Sequence, residues 1–306
     1  MRTRNNNELR LANVNEVVTL VGWCSKKRNL GGLIFIDLRD RYGITQLVVE
    51  PDNAMYDIAN SVKSEYVLKA TGKVVERQSK NPKLPTGEIE VIVSELTILN
   101  TAEQPPMLIQ DDTDALEDTR MKYRYLDLRR PTMQRNLLLR HKVYIATRNY
   151  FDERDFIEVE TPVLGKSTPE GARDFLVPSR LYEGSFYALP QSPQMYKQLL
   201  MVAGLERYFQ IVKCFRDEDL RADRQLEFTQ IDVECSFVDE EDIYELIEGL
   251  LVRIWKEVLN IEIKAPFIRM SYADATNLYG SDKPDTRFEM LLQNISGWAK
   301  EIPFVV

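Results

Sequence analysis

Between Cys214 and Glu234 the sequence reads CFRDEDLRADRQLEFTQIDVE, in which Arg216, Arg221 and Arg224 alternate with carboxylates. Guanidinium groups present planar forks that match carboxylate and phosphate oxygens in pairs, so a loop rich in them suits an anionic substrate. The end of the segment alternates Phe228, Gln230, Asp232 and Glu234. Side chains two apart on a strand share a face, so Gln230, Asp232 and Glu234 line one surface. Two carboxylates and an amide are costly to bury without cationic partners, which predicts a polar ligand cavity. A solvated hairpin with weak surface ion pairs accounts for the same pattern.

Other chemistries are scarce. The one histidine, His141, stands among Leu137, Leu138, Leu139, Arg140, Lys142 and Val143, with no nucleophile or carboxylate at motif spacing. Histidine triads and two-histidine zinc sites within this chain are therefore excluded, and His141 reads as an ordinary helix residue. Cys24, Cys214 and Cys235 are odd in number and lack CxxC spacing, so reduced thiols are expected. The net charge of −8 argues against a nucleic-acid partner. Residues 1–50, however, carry eight basic against five acidic side chains, a local +3. Lys26, Lys27 and Arg28 stand together where a loop could present them to phosphates.

These residues must be positioned by a chain of 306 residues, long enough for two domains, with the composition of a folded globular protein. Apolar runs such as 199–205 are far shorter than the roughly 20 residues of a membrane span. The opening MRTRNNNELR has no apolar stretch behind it, so no secretory signal and a cytoplasmic location are expected. Strand-like runs at 17–23, 33–38, 45–49, 66–75 and 88–98, with a helical interval near 55–62, suit a small five-stranded barrel of the OB type or a sandwich. Residues 101–118, with Pro105, Pro106 and a run of acidic residues, read as a linker. Beyond them the pattern predicts helices at 133–154 and 194–203 and strands at 156–163, 208–215 and 228–237. A final helix carries Ile243, Leu246, Ile247, Leu250, Leu251, Ile254 and Val258 as its core stripe.

At the charged loop the sequence becomes recognisable. Phe215-Arg216-x-Glu218, followed by Glu227-Phe228-x-x-x-Asp232, resembles motif 2 of the class II aminoacyl-tRNA synthetases, and DFIEVETPVL at 155–164 resembles their motif 1. KYRYLDLRR (122–130), TPEGARDF (168–175), ALPQSPQ (188–194), RADRQ (221–225) and YGSDKPD (279–285) narrow the resemblance to the bacterial-type aspartyl-tRNA synthetases, over essentially the whole chain. Asp155 stands where that family commonly has glycine, in an expected turn. The resemblance implies an α+β multidomain protein. A five-stranded OB-fold β-barrel (1–104) that binds the anticodon is followed by a hinge (105–130), the first part of an antiparallel-sheet catalytic domain (131–285) and the start of an inserted domain (286–306).

It also implies activation of L-aspartate by ATP and transfer to tRNA(Asp), in a homodimer formed through motif 1. Arg216 would be the catalytic residue, bridging substrate carboxylate and α-phosphate. Glu170, Ser192, Gln194, Met195, Tyr196, Lys197, Arg216 and Asp232 would bind aspartate, with Lys197 on its side-chain carboxylate. Arg216, Asp217, Glu218, Gln225 and Phe228 would bind ATP, with Phe228 stacked on adenine. The segment 166–174 resembles a loop that closes over the amino acid, although an ordinary turn would look the same. Arg28, Phe35 and Gln46 would contact the anticodon, with Glu90 a weaker candidate. On composition alone, Phe35 belongs to the core.

Motif 3, the family's catalytic histidine and the acidic ligands for Mg2+ would lie beyond Val306, leaving no metal site in this portion. Two alternatives stand beside this reading. One is an asparaginyl- or lysyl-tRNA synthetase, against which Lys197 and RADRQ weigh. The other is a tRNA-binding fragment or paralogue without catalysis. Whether tRNA(Asn) is also charged stays open.

Overall fold

The computed structural model describes residues 1–168, 170–221 and 224–300. Pro169, Ala222 and Asp223, which belong to the motif strings, and residues 301–306 of the expected inserted segment lie outside the described residues. The chain forms two compact units, Met1–Leu139 and Arg140–Val306.

In the first unit, β1 (Val17–Leu30), β2 (Leu33–Arg39), β3 (Ile44–Val49), β4 (Val67–Glu76) and β5 (Ile89–Asn100) close into a barrel in the order β1-β2-β3-β5-β4. Every pair is antiparallel except β3 with β5. A helix, α1 (Tyr56–Ser61), fills the expected interval before β4. Strict alternation drives this closure. Ile34, Ile36 and Leu38 of β2 point into the core while Leu33, Phe35 and Asp37 face outward. Gly72 sits at a register shift against β5, where a Cβ would collide with the Ile92 carbonyl oxygen, so only glycine admits that approach.

Lys26, Lys27 and Arg28 are not in a loop. They lie in β1, which runs on to Leu30 and turns through Gly31 and Gly32, both at positive φ. A strand end that rises above the core has no need of inward apolar residues, which is why its charge reads as loop in the sequence. The segment 105–130 contains α2 (Glu117–Lys122) and α3 (Arg124–Asp127). It is tied down by fully buried Asp127, whose carboxylate accepts from Arg124 and Arg130 at 2.7 Å each.

In the second unit, the C-terminal half of α4 (Pro131–Asp152) buries Ala146, Tyr150 and Phe151. Phe151 stacks on Phe209, with ring centroids 4.8 Å apart, and touches Phe156 at 5.1 Å. The chain then turns at Asp155, whose φ of 61° explains why glycine is at home there. The sheet holds β10 (Glu227–Cys235), β9 (Arg207–Phe215) and β6 (Ile157–Glu158), with β9 and β10 antiparallel and β6 parallel to β9. The strand expected over 156–163 is thus only Ile157–Glu158. Val159 still donates to the Phe209 carbonyl, but Pro162 has no N–H to extend the ladder.

A hairpin of β7 (Leu176–Pro178) and β8 (Phe186–Ala188) leads to α5 (Gln194–Val202). The predicted final helix is α6 (Glu240–Ile254), followed by a wider turn over Trp255–Leu259. Asp239 caps α6 by accepting from the N–H groups of Glu241 and Asp242, and three acidic residues in its first turn suit the helix dipole.

Candidate active site

The site begins with a cation where apolar packing would be expected. Lys197, in the first turns of α5, is 8% exposed, and its ammonium donates to Asp232 Oδ1 at 2.9 Å and lies 3.3 Å from Glu234 Oε2. The alternating register of β10 delivers both carboxylates to the face that α5 covers, as the period-two reading predicts. Asp232 is 9% exposed, and its second oxygen, Oδ2, is buried without a partner. Below this group Tyr208 is fully buried and donates to Gln210 Oε1, which also accepts from Thr161. Burial and the Asp232 charge push the Tyr208 phenol well above its ordinary range.

Glu170 and Ser192 meet before α5, where Ser192 Oγ donates to Glu170 Oε2 at 2.8 Å. Together with Met195, Tyr196, Asp174 and Lys166 they line a cavity of about 100 Å³. Burial pushes the Asp174 carboxyl up, but hydrogen bonds from Ser167 and Gln191 outweigh it and hold the group below the usual carboxylate range. Gln194 opens α5 and does not line this cavity.

A second cavity, of about 300 Å³, is lined by Arg216, Glu218, Arg224, Gln225 and Phe228. The Arg216 guanidinium lies 5.1 Å from the centroid of the Phe228 ring, and its Nε donates to the Gln191 carbonyl at 3.4 Å. Arg224 pairs with Glu218 at 3.3 Å. Asp217 contributes through its backbone, donating to the Arg173 carbonyl at 3.0 Å. A flat ring beside free guanidinium donors is a surface on which an aromatic base and an anionic oxygen can bind side by side.

The barrel carries a third site. Phe35 is half-buried on the outer face of β2, outside the core, with the Arg28 guanidinium 6.0 Å from its centroid. Arg28 donates to Asp37 at 2.8 Å and to Gln46 Oε1 at 3.1 Å, and Gln46 in turn donates to Glu90 at 2.8 Å. All four expected anticodon residues share the wall of one open cavity of about 790 Å³. Arg77, which sequence reading passed over, completes it by donating to Gln46 Oε1 at 2.5 Å.

Comparison with known proteins fits this geometry. Residues 18–99 match the OB-fold nucleic acid binding domain, and residues 116–306 match the tRNA synthetases class II (D, K and N). The chain belongs to the class II tRNA synthetases. An aspartate–tRNA ligase of Lactococcus lactis subsp. lactis (strain IL1403) is 59% identical over 296 residues, covering 96% of this chain and 50% of the relative. One of Ruminiclostridium cellulolyticum is 57% identical over 302 residues, 98% of this chain and 51% of the relative. The synthetase chain therefore spans about half the length of the curated relatives it matches. Among solved structures, asparaginyl-tRNA synthetase of Entamoeba histolytica in complex with asparaginyl-adenylate superposes with a TM-score of 0.75 at 25% identity, over 94% of this chain and 70% of that one. The Pyrococcus horikoshii asparaginyl-tRNA synthetase gives 0.73 at 25%, over 83% and 57%.

The thiols of the synthetase chain are free, with Cys24 and Cys214 buried and Cys235 half-buried. Burial pushes Cys214 up to about 11 and Cys24 up to about 12, with Arg216 only partly offsetting the rise at Cys214. Thiolate-dependent alkylation at pH 8 is therefore expected to label Cys24 and Cys214 only after denaturation, as mass spectrometry of native and unfolded samples would show. The unfolded chain loses these protons from about pH 8.5 upward while the native one keeps them. Stability is thus complete below about pH 8.5 and falls as pH rises toward the native values.

Proposed function

We propose that this chain provides the anticodon-binding barrel and the amino-acid and adenylate-forming part of an aspartate–tRNA ligase. The observation that carries this reading is Lys197, a nearly buried cation held by Asp232 and Glu234, on the helix whose preceding residues Met195 and Tyr196 line the cavity of Glu170 and Ser192. A fixed ammonium suits the side-chain carboxylate of aspartate and finds no counter-charge in asparagine. Glu170, Ser192 and Asp232 offer the acceptors a substrate ammonium needs, with Gln194, Met195 and Tyr196 shaping the approach. The names of the relatives support the same assignment.

In the first reaction the substrate α-carboxylate attacks the α-phosphate of ATP, one P–O bond forms, and the bond to pyrophosphate breaks. Two anionic groups must approach, so positioning and charge neutralisation carry most of the catalysis. Arg216 is the group placed to bridge them, while Phe228 stacks on adenine and Asp217, Glu218 and Gln225 surround the nucleotide. Among the described residues no group of three or more His, Cys, Asp or Glu is arranged for a metal ion; Mg2+ would neutralise the ATP phosphates, with its acidic ligands expected elsewhere in the enzyme. In the second reaction the terminal ribose hydroxyl of tRNA(Asp) attacks the activated carbonyl and AMP leaves.

No helix among the described residues is long and apolar enough to cross a membrane. We place the enzyme in the cytoplasm as a homodimer through motif 1, where Ile157, Val163 and Leu164 stand exposed.

ATP–pyrophosphate exchange tests the reading, in this chain and in a protein of the relatives' full length that carries it. Exchange driven by aspartate supports it. Exchange driven by asparagine or lysine moves the assignment to those relatives, and tRNA binding with no exchange at either length makes the protein a binding module. On the barrel, Phe35→Ala is expected to weaken binding of the tRNA(Asp) anticodon stem-loop by about tenfold to a hundredfold, the worth of one base–aromatic stack. Filter binding measures it, and unchanged affinity removes Phe35 from the interface.

A further inference from the structure

Gln191 is 1% exposed and lies between the segment 170–174 and Arg216. Its side-chain amide pairs with one peptide unit as a neighbouring strand would. Nε2 donates to the Ala172 carbonyl at 2.9 Å, while Oε1 accepts from the Ala172 N–H at 3.2 Å. The second Nε2 hydrogen goes to Asp174 Oδ1 at 2.5 Å, and the backbone carbonyl of Gln191 accepts from Arg216 Nε at 3.4 Å. The residues on either side repeat the pattern, since Ser192 holds Glu170 and Asp217 holds the Arg173 carbonyl. The segment is thus fastened, residue by residue, to Gln191, which accepts from Arg216, to Ser192 beside it, and to Asp217, the chain neighbour of Arg216. Displacing the segment would strand buried donors and an acceptor that have no alternative partner, so it and Gln191 move together or not at all.

We propose that Gln191 is a positioning residue that couples closure of residues 170–174 over the amino acid to the placement of Arg216 for ATP. The coupling rests on the activation reading above. An amino acid held by Glu170 favours the fastened segment, which fixes the Gln191 carbonyl and hence Arg216. By linkage, ATP then favours amino-acid binding by the same factor.

Gln191→Glu keeps the length and the acceptor for Ala172 but removes both donors and sets a carboxylate against Asp174. Adding Asp174→Asn returns a donor to that contact. Hydrogen exchange of the amides at 170–174, Ala172 above all, is expected to quicken about tenfold in Gln191→Glu and to slow again in the double variant, with barrel amides unchanged as the control for folding. In the full-length protein, aspartate is expected to lower the Kd of a non-hydrolysable ATP analogue by about tenfold in the parent, not in Gln191→Glu, and again in the double variant. Unchanged exchange at 170–174, or a parent whose affinity for the ATP analogue ignores aspartate, overturns the proposal. A parent with no aspartate-driven pyrophosphate exchange overturns the functional reading instead and leaves the clamp to be decided by hydrogen exchange alone.

Discussion

Replacing Arg216 by lysine is expected to lower aspartate-driven ATP–pyrophosphate exchange by about a hundredfold to a thousandfold, with most of the loss in kcat. The side chain does three things at once. Its Nε donates to the Gln191 carbonyl, its guanidinium carbon lies over the Phe228 ring, and the side chain lines the cavity shared with Glu218 and Gln225. A lysine ammonium is a point charge without an Nε donor or a planar face, so it keeps the charge and loses the geometry. If the arginine served only as a counter-ion to bound ATP, lysine would raise the KM for ATP and leave kcat nearly intact. That pattern would remove Arg216 from the catalytic role. Folding is a minor concern, since the group is half-exposed and its only side-chain hydrogen bond among the described residues is a long one to a backbone carbonyl.

The barrel was legible in the sequence because its strands alternate cleanly, and a period of two is a statement about faces as much as about strands. That period also put Asp232 and Glu234 on one surface, which the structure bears out. The partner of that surface was not derivable from spacing, because Lys197 reaches it from a helix 35 residues earlier than Asp232 and only tertiary packing joins them. The resemblance brought Lys197 into the site as a partner of the substrate carboxylate, and only the structure pairs it with Asp232 and Glu234. Local pattern misled at Lys26–Arg28, where a charged run continues a strand, and at 156–163, where a strand-like run of alternating apolar and acidic residues meets a proline that cannot pair. Gln191 lay within the ALPQSPQ string, but nothing in the sequence marked its role. A buried amide that imitates a strand partner is indistinguishable in sequence from any polar loop residue until its neighbours are seen.

Lys197→Leu is expected to cost aspartate activation about 3–5 kcal/mol, roughly a hundredfold to several thousandfold in exchange rate. Two separate losses contribute. On the proposed reading the substrate carboxylate loses its cation, and Asp232 and Glu234, held at 2.9 and 3.3 Å from the ammonium, are left as neighbouring carboxylates without it. The second loss also lowers the melting temperature, so a fall in activity alone would not separate recognition from folding. Adding Asp232→Asn removes one of the stranded charges and should recover much of the lost stability. It cannot recover aspartate activation, because no cation returns to face the substrate. A double variant that regains stability yet activates aspartate far more slowly than the Asp232→Asn single variant places Lys197 in recognition. One that regains both shows that the lysine serves only to neutralise Asp232, and the substrate carboxylate must then be held by other residues.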